Sequence, residues 1–216
     1  MSTQHEHHDE ILFTPEFWDD RYGASDRLWS GQPNAQLVAQ ASDLQPGEAL
    51  DVGSGEGADA IWLASRGWRV TAVDVSAVAL ERGARQAAAE SEQLAAQITW
   101  RQADLFTWDP GPAQFDLVSA QFMYLPAPAL ESLHSRLAAA VRPGGTLLIV
   151  GHHGDELRAK HATVADMSWS AEDIAAGLHP AVWQVLVAAD IERSATDSDG
   201  QPVTLTDTVL RAVRRH

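Results

Sequence analysis

The sequence predicts an α/β fold: a doubly wound, seven-stranded, mostly parallel sheet with an antiparallel C-terminal strand. Three observations predict it. From Ala49 onward, short apolar runs alternate with helical segments, which is the pattern of right-handed βαβ crossovers. The first run feeds a glycine-rich turn that opens a helix, Leu50-Asp51-Val52-Gly53-Ser54-Gly55-Glu56-Gly57-Ala58-Asp59. The last two runs are divided by Asp197-Ser198-Asp199-Gly200, a turn-rich hairpin signal.

Taken in order, the polar, aperiodic residues 1–12 read as a disordered tail. Its His5, His7 and His8 read as solvated rather than metal-holding, because a free end lacks the outer groups that fix imidazoles. Residues 13–216 read as one domain whose segment from about 14 to 45 is a helical lid. Thr14 caps a helix with Pro15 at its first position, anchored by Phe17, Trp18 and Tyr22. A short amphipathic segment at Ala35–Ala41 ends before Pro46-Gly47. Strands follow at Ala49–Gly53, Arg69–Val75, Ile98–Ala103, Phe115–Phe122 and Thr146–His152. Helices fall between them at Ala58–Arg66, from the Ser76 cap to about Ala96 on alanine propensity, and at Ala127–Val141, stopped by Pro143-Gly144-Gly145. The unbroken apolar run of the fifth strand is expected where both faces are covered. Trp183–Arg193 and Thr204–Val213 supply the closing hairpin.

Composition narrows the function classes. The chain has 216 residues, a formal net charge of −15 and no cysteine. No disulfide framework, thiolate zinc site or cysteine nucleophile is possible. The acidity argues against a general affinity for nucleic acid or an anionic membrane, since like charge repels over the whole surface. MSTQHEHHDE lacks the basic and apolar regions of a signal peptide, and Thr146–Val150 is too short to cross a bilayer. The expectation is a cytoplasmic protein with a small-molecule partner; oligomeric state is not legible.

The glycine turn carries the chemistry. Gly53, Gly55 and Gly57 let the backbone turn sharply and let a ligand approach main-chain N–H groups. Asp74 ends the second strand, where a carboxylate accepts the two hydroxyls of a ribose. Asp104 ends the third, placed to accept from an adenine amino group, with a helix cap as its plainer role. Asp51 either meets a ligand or braces the loop. Dinucleotide-binding folds carry a similar turn, so charge must choose between ligands. Glu56 and Asp59 would repel a pyrophosphate at the helix N-terminus and suit a cationic, phosphate-free nucleoside.

Leu50–Asp59, Thr71–Ser76, Ala103–Leu105, Phe115–Leu125 and Val141–Val150 resemble, in order and spacing over about three quarters of the chain, the motifs of class I S-adenosylmethionine-dependent methyltransferases. The terminal hairpin resembles that family's antiparallel seventh strand, giving a Rossmann-like methyltransferase fold. Phe17–Tyr22 with Trp29-Ser30-Gly31-Gln32-Pro33 is similar to the lid of small-molecule members, including thiopurine methyltransferases. Phe122–Leu125 and the ending from Asp199 are similar to the tellurite-resistance, TehB-type enzymes. The resemblance implies S-adenosylmethionine as cofactor, held by Trp29, Asp51, Gly53, Gly55, Gly57, Asp74, Val75, Asp104, Leu105 and Gln121. Trp29 would cover the sulfonium with an aromatic face.

The acceptor side reads less sharply. Gln121 and Tyr124 follow the fourth strand, and His152 and His153 follow the fifth, all at carboxyl edges where open sheets bind ligands. The catalytic candidates are His153, His152 and Tyr124, a histidine serving as general base where the nucleophile arrives protonated. Arg158 or a histidine would position an anionic acceptor. No metal site is expected, because the histidine pair has no carboxylate partner in register. The reading is methyl transfer to a small S, Se/Te, N or O nucleophile by in-line displacement. Its rivals are an NAD-dependent oxidoreductase and a non-catalytic S-adenosylmethionine-binding module.

Overall fold

A computed structural model describes residues 13–160, 167–196 and 200–216. The proposed tail with its histidines, His161 and the turn residues 197–199 lie outside the described residues. The strands are β1 (Glu48–Val52), β2 (Arg69–Asp74), β3 (Ile98–Gln102), β4 (Phe115–Gln121), β5 (Val141–His152), β6 (Trp183–Thr196) and β7 (Pro202–Arg214). They form one seven-stranded sheet in the order β3-β2-β1-β4-β5-β7-β6. β7 runs antiparallel to both neighbours, while the β1/β2, β2/β3 and β4/β5 pairs are parallel. The predicted fold class is borne out.

The helices are α1 (Pro15–Gly23), α2 (Ala35–Ala41), α3 (Ala58–Ser65), α4 (Ala77–Glu90), α5 (Glu92–Ala95), α6 (Ala127–Ala140), α7 (Gly154–Lys160) and α8 (Ala171–Gly177). No helix among the described residues is long and apolar enough to cross a membrane. The chain divides into two compact units, the described residues up to 34 with 45–110, and 35–44 with 111–216.

In the first unit, β1 and β2 pair from Glu48↔Arg69 to Val52↔Val73, so Asp51 and Asp74 end adjacent strands on the same side of the sheet's edge. Leu50, Val52, Ala72 and Val73 of the strands and Ala60, Leu63 and Ala79 of the helices are completely buried. In the second unit, Leu117, Val118, Leu133, Leu137, Leu147 and Leu210 are equally buried. The β5 run Gly145–Gly151 is buried without interruption, as a strand covered on both faces must be.

Three boundaries differ from expectation. The long alanine-rich helix breaks at Ser91, whose φ of −168° is extended and whose hydroxyl accepts the Leu94 N–H, so a second short helix begins there. A cap within the segment overrides propensity. The helix before β5 ends at Ala140, one residue short of the expected Val141, and β5 starts at Val141 rather than Thr146, because Val141 already pairs with Phe115. The closing strands also run longer than expected, pairing from Trp183↔Arg214 to Thr196↔Pro202. Helices α7 and α8 were not anticipated; Ser170 caps α8 by accepting the Asp173 N–H.

Candidate active site

The glycine turn is built from β1 outward. The N–H groups of Gly53 and Ser54 both donate to the Val73 carbonyl, which draws the chain across the end of β2. Gly53, Gly55 and Gly57 all have positive φ, at 69°, 52° and 81°. The reasons for two of these glycines differ. A Cβ at Gly55 would lie 2.8 Å from the Tyr22 hydroxyl and 3.5 Å from Trp29 Nε1, so this face of the turn is kept bare beneath two aromatic residues. A Cβ at Gly57 would lie 2.3 Å from the ring tip of Trp100, so Gly57 admits a β3 side chain against the loop.

Asp74 holds the turn. One carboxylate oxygen accepts the Gly55 N–H at 2.8 Å and the other accepts the Ser76 N–H at 2.9 Å. Burial raises its carboxyl above the usual range, opposed by the N–H groups of Ser76, Gly55 and Val75. Val75 is half-buried and its carbonyl accepts from Gln102 Nε2 at 2.9 Å.

Asp51 is only 1% exposed, and among the described residues its Oδ2 has no hydrogen-bond partner. Burial, then the charges of Asp59 and Asp74, push its carboxyl well up, against a favourable Ala60 N–H. Asp59, in the first turn of α3, is pushed up to about 6 by burial, opposed by the Asn34 N–H that donates to it at 2.6 Å. Among the described residues no cation pairs with Asp51, Asp59 or Asp74.

The lid is tied down by acids. Glu56 Oε2 accepts the main-chain N–H groups of Leu28 and Trp29 at 3.1 and 3.2 Å, and Oε1 pairs with Arg82 at 3.0 Å. Arg82 also donates to the Ser25 carbonyl at 2.7 Å. Asp19 of α1 accepts from the Ser76 hydroxyl at 2.5 Å and the Val78 N–H at 3.2 Å, at the start of α4. The charge reading of Glu56 therefore needs correction. Its carboxylate is committed to Arg82 and the lid, so it offers no free negative charge; that part falls to Asp51 with Asp59. Trp29 is 48% exposed and donates its indole N–H to Tyr22 at 2.9 Å. Burial, then the charge of Asp74, raises the Tyr22 phenol.

Asp104 makes a local turn: its Oδ1 accepts the Phe106 N–H at 2.9 Å, with a turn rather than a helix following it. Leu105 beside it is 6% exposed.

In the second unit, Gln121 donates to Ser119 Oγ at 2.7 Å and its buried Oε1 has no partner. The Tyr124 hydroxyl accepts the His152 N–H at 3.1 Å, and burial raises that phenol. The His152 ring stacks on Phe122 with centroids 4.3 Å apart and lies nearly parallel to Tyr124. Phe122 itself has φ +54°, a strained conformation for a bulky residue. His153 Nδ1 accepts the Asp155 N–H at 3.4 Å, while Nε2 lies 3.6 Å from Asp190. Arg158 pairs with Asp155 at 2.7 Å.

Sequence reasoning missed Asp19, Arg82 and Phe122, and took Tyr22 only as a packing anchor. Asp19 and Arg82 act on residues far away in the chain, so no local pattern marks them. Phe122 is marked only by its backbone angle.

Residues 49–145 match the family model described as a methyltransferase domain. That match spans 97 of the 216 residues and takes in the glycine turn, Asp74 and the strands β1 to β4. An uncharacterized methyltransferase of Mycobacterium tuberculosis is 39% identical over 101 residues, covering 47% of this chain and 48% of the relative. A probable thiol methyltransferase of Arabidopsis thaliana is 28% identical over 144 residues, covering 64% of this chain and 62% of that protein. The match thus spans about half of one curated relative and three fifths of the other. TehB from Haemophilus influenzae shares the fold, with a TM-score of 0.59 at 15% identity, covering 94% of this chain and 67% of that one.

The similarity to methyltransferases implies S-adenosylmethionine as the cofactor to be tested against these residues. The residues present fit it on one observation. Asp51 buries a carboxylate oxygen that no other described residue satisfies. Such an atom suits an ammonium group.

Proposed function

We propose that this domain transfers the methyl group of S-adenosylmethionine to a small, soft nucleophile, a thiol or a heavier chalcogen anion, by direct in-line displacement. The observation that carries the reading is Asp51, a buried carboxylate beside Asp59 with one oxygen unpartnered, which favours a cationic nucleoside over a dinucleotide.

The bound cofactor supplies an electrophilic methyl group on a sulfonium. Around it, Asp74 would accept the ribose hydroxyls, Asp51 would face the ammonium, and Asp104 with Leu105 would border the adenine. Trp29, hydrogen-bonded to Tyr22, would shield the sulfonium and exclude water, which raises the effective concentration of the acceptor. The cofactor would give up its methyl group and keep the electron pair of the bond it loses, while these residues hold the acceptor in line and dry. A proton must leave only if the acceptor arrives protonated.

The histidines bear on that last step. His153 has one ring nitrogen accepting a main-chain N–H and the other against Asp190, and the His152 ring is stacked against Phe122. Neither is laid out as a general base, which supports an acceptor that arrives as an anion. The similarity to a thiol methyltransferase points the same way.

Two measurements test the reading. Thermal denaturation with S-adenosylmethionine, S-adenosylhomocysteine or NAD should show stabilisation by the first two alone; failure of both to bind overturns it. Mass spectrometry of labelled methyl transfer across thiols, selenite, tellurite, halides, phenols and heterocyclic amines should favour the soft acceptors. Tight cofactor binding with no product from the panel would favour a non-catalytic binding module instead.

A further inference from the structure

Helix α4 is rich in alanine, yet Gly83 stands in its middle, where glycine is the poorer helix former. Its backbone is helical, so the glycine serves space and not a left-handed turn. A Cβ there would lie 2.5 Å from Cη2 and 2.6 Å from Cζ3 of Trp100, and 3.0 Å from the Glu56 carbonyl oxygen. The same two ring atoms close on Gly57, where a Cβ would also come within 3.5 Å of the Gly83 α-carbon. Both glycines are buried, and Trp100, on the edge strand β3, is half-buried. The distal edge of one indole therefore rests on two facing backbones, one from the glycine turn and one from α4. Gly55 turns its α-carbon to Tyr22 and Trp29, whereas Gly57 turns its own to Trp100. The turn is thus held twice, by Asp74 through the Gly55 N–H and by Trp100 against Gly57.

Resting on the function proposed above, we propose that Trp100 is a positioning residue for the cofactor: it sets the course of the glycine turn through Gly57, with Gly83 as its opposite seat. A close-packed interior has no room for an added methyl group, so something must move when one is inserted. At Gly83 either the indole edge retreats or the Glu56 carbonyl does. The first displacement withdraws the support of Gly57, and the second shifts the residue between Gly55 and Gly57. Glu56 also carries the lid, through the N–H groups of Leu28 and Trp29, and its side chain pairs with Arg82, the neighbour of Gly83 on α4. A change on α4 therefore reaches both the main-chain N–H groups of the turn and the lid segment tied to it. A binding site of this kind works only when its parts are held to within about 0.5 Å. Cofactor affinity accordingly depends on the volume match of Gly57, Gly83 and Trp100.

The test is a double-mutant cycle on the full chain, with S-adenosylhomocysteine as the non-reacting ligand. Gly83→Ala installs a better helix former, so a purely local effect would leave binding unchanged. Expected instead is a calorimetric Kd about tenfold higher, with the Gly55 and Gly57 amide resonances of the ligand-free protein displaced. Trp100→Phe withdraws the distal ring edge and should raise Kd about threefold by itself. In that background the added methyl group has room, and Gly83→Ala should raise Kd further by only about twofold or less. General loss of stability does not produce such a rescue, and thermal denaturation reports that each variant is folded at the titration temperature. Should Gly83→Ala alone fail to fold, a double variant that folds and binds shows the same coupling. An unchanged Kd in every folded variant, or an equal effect of Gly83→Ala in both backgrounds, would overturn this inference alone. Wild-type protein that does not bind the ligand would overturn the proposed function with it.

Discussion

Each unit buries an aspartate almost completely, and the two are treated in opposite ways. Asp207, at 0% exposure in the second unit, lies 2.6 Å from Arg193 Nε and 3.4 Å from Gln36 Nε2. Asp51, at 1% in the first unit, has acids for neighbours. One oxygen of each, Asp207 Oδ1 and Asp51 Oδ2, has no hydrogen-bond partner among the described residues. Burying a charge is costly unless a partner compensates it. In the second unit a guanidinium supplies that partner; in the first no described cation does. Both carboxyls are raised by burial, but only Asp207 has a guanidinium opposing the rise. The guanidinium, and not burial or the unpartnered oxygen, separates the two acids.

Removing the guanidinium should turn the second cluster into a copy of the first. Arg193→Ala leaves Asp207 buried without its cation and should destabilise the fold by about 3 kcal/mol. Thermal denaturation at neutral pH should show it as a Tm fall of roughly 6–12 °C, and an unchanged Tm would mean that the pair contributes nothing. Next in size, Asp74→Ala removes the acceptor for the Gly55 and Ser76 N–H groups as well as the ribose contact. Cofactor Kd should rise on the order of 100-fold, and an unaltered Kd in calorimetry would remove Asp74 from the site.

A smaller effect, of opposite sign, is expected from Asp59→Asn. The folded carboxyl titrates at about 6 against its usual 3.8, so between those values the folded protein holds a proton that the unfolded chain has released. Stability conferred by that proton is present at low pH and is lost as pH rises through the window. The amide should therefore stabilise the ligand-free protein by about 1–2 kcal/mol at pH 7, and by little at pH 4. Urea unfolding at both values checks this; equal effects at the two pH values would separate Asp59 from the acid cluster. Smallest of all, Trp29→Phe keeps an aromatic face but deletes the hydrogen bond to Tyr22. It should weaken cofactor binding only a fewfold, about 1 kcal/mol or less, measured as a Kd.

The sheet was legible because each strand is an apolar run bounded by its own turn residues, and the unbroken run in β5 reads directly as a buried strand. The break at Ser91 was not, since alanines on both sides favour helix and the decision rests on one hydroxyl finding the Leu94 N–H. The bend at Gly53, Gly55 and Gly57, and Asp74 at the end of the next strand, were legible from the strand-loop-helix pattern. The structure adds that Gly57 makes room for Trp100. The identity of the charge-bearing acid was not legible: Glu56 and Asp59 look alike in the sequence. Only the fold gives one to Arg82 and the lid and leaves the other beside Asp51.

The lid is gripped through its backbone. Glu56 takes the N–H groups of Leu28 and Trp29, and Asp59 takes that of Asn34. Such bonds are blind to side-chain identity, so the cover can change its inner surface without losing its hold. Trp29, whose indole N–H donates to Tyr22, and Gly31, at φ +72° against Arg27, are fixed by more than these bonds, but Ser30, Gln32 and Pro33 are open to exchange at small cost in anchoring. That makes the segment an interchangeable part, able to take on a new inner surface while the glycine turn beneath it stays the same.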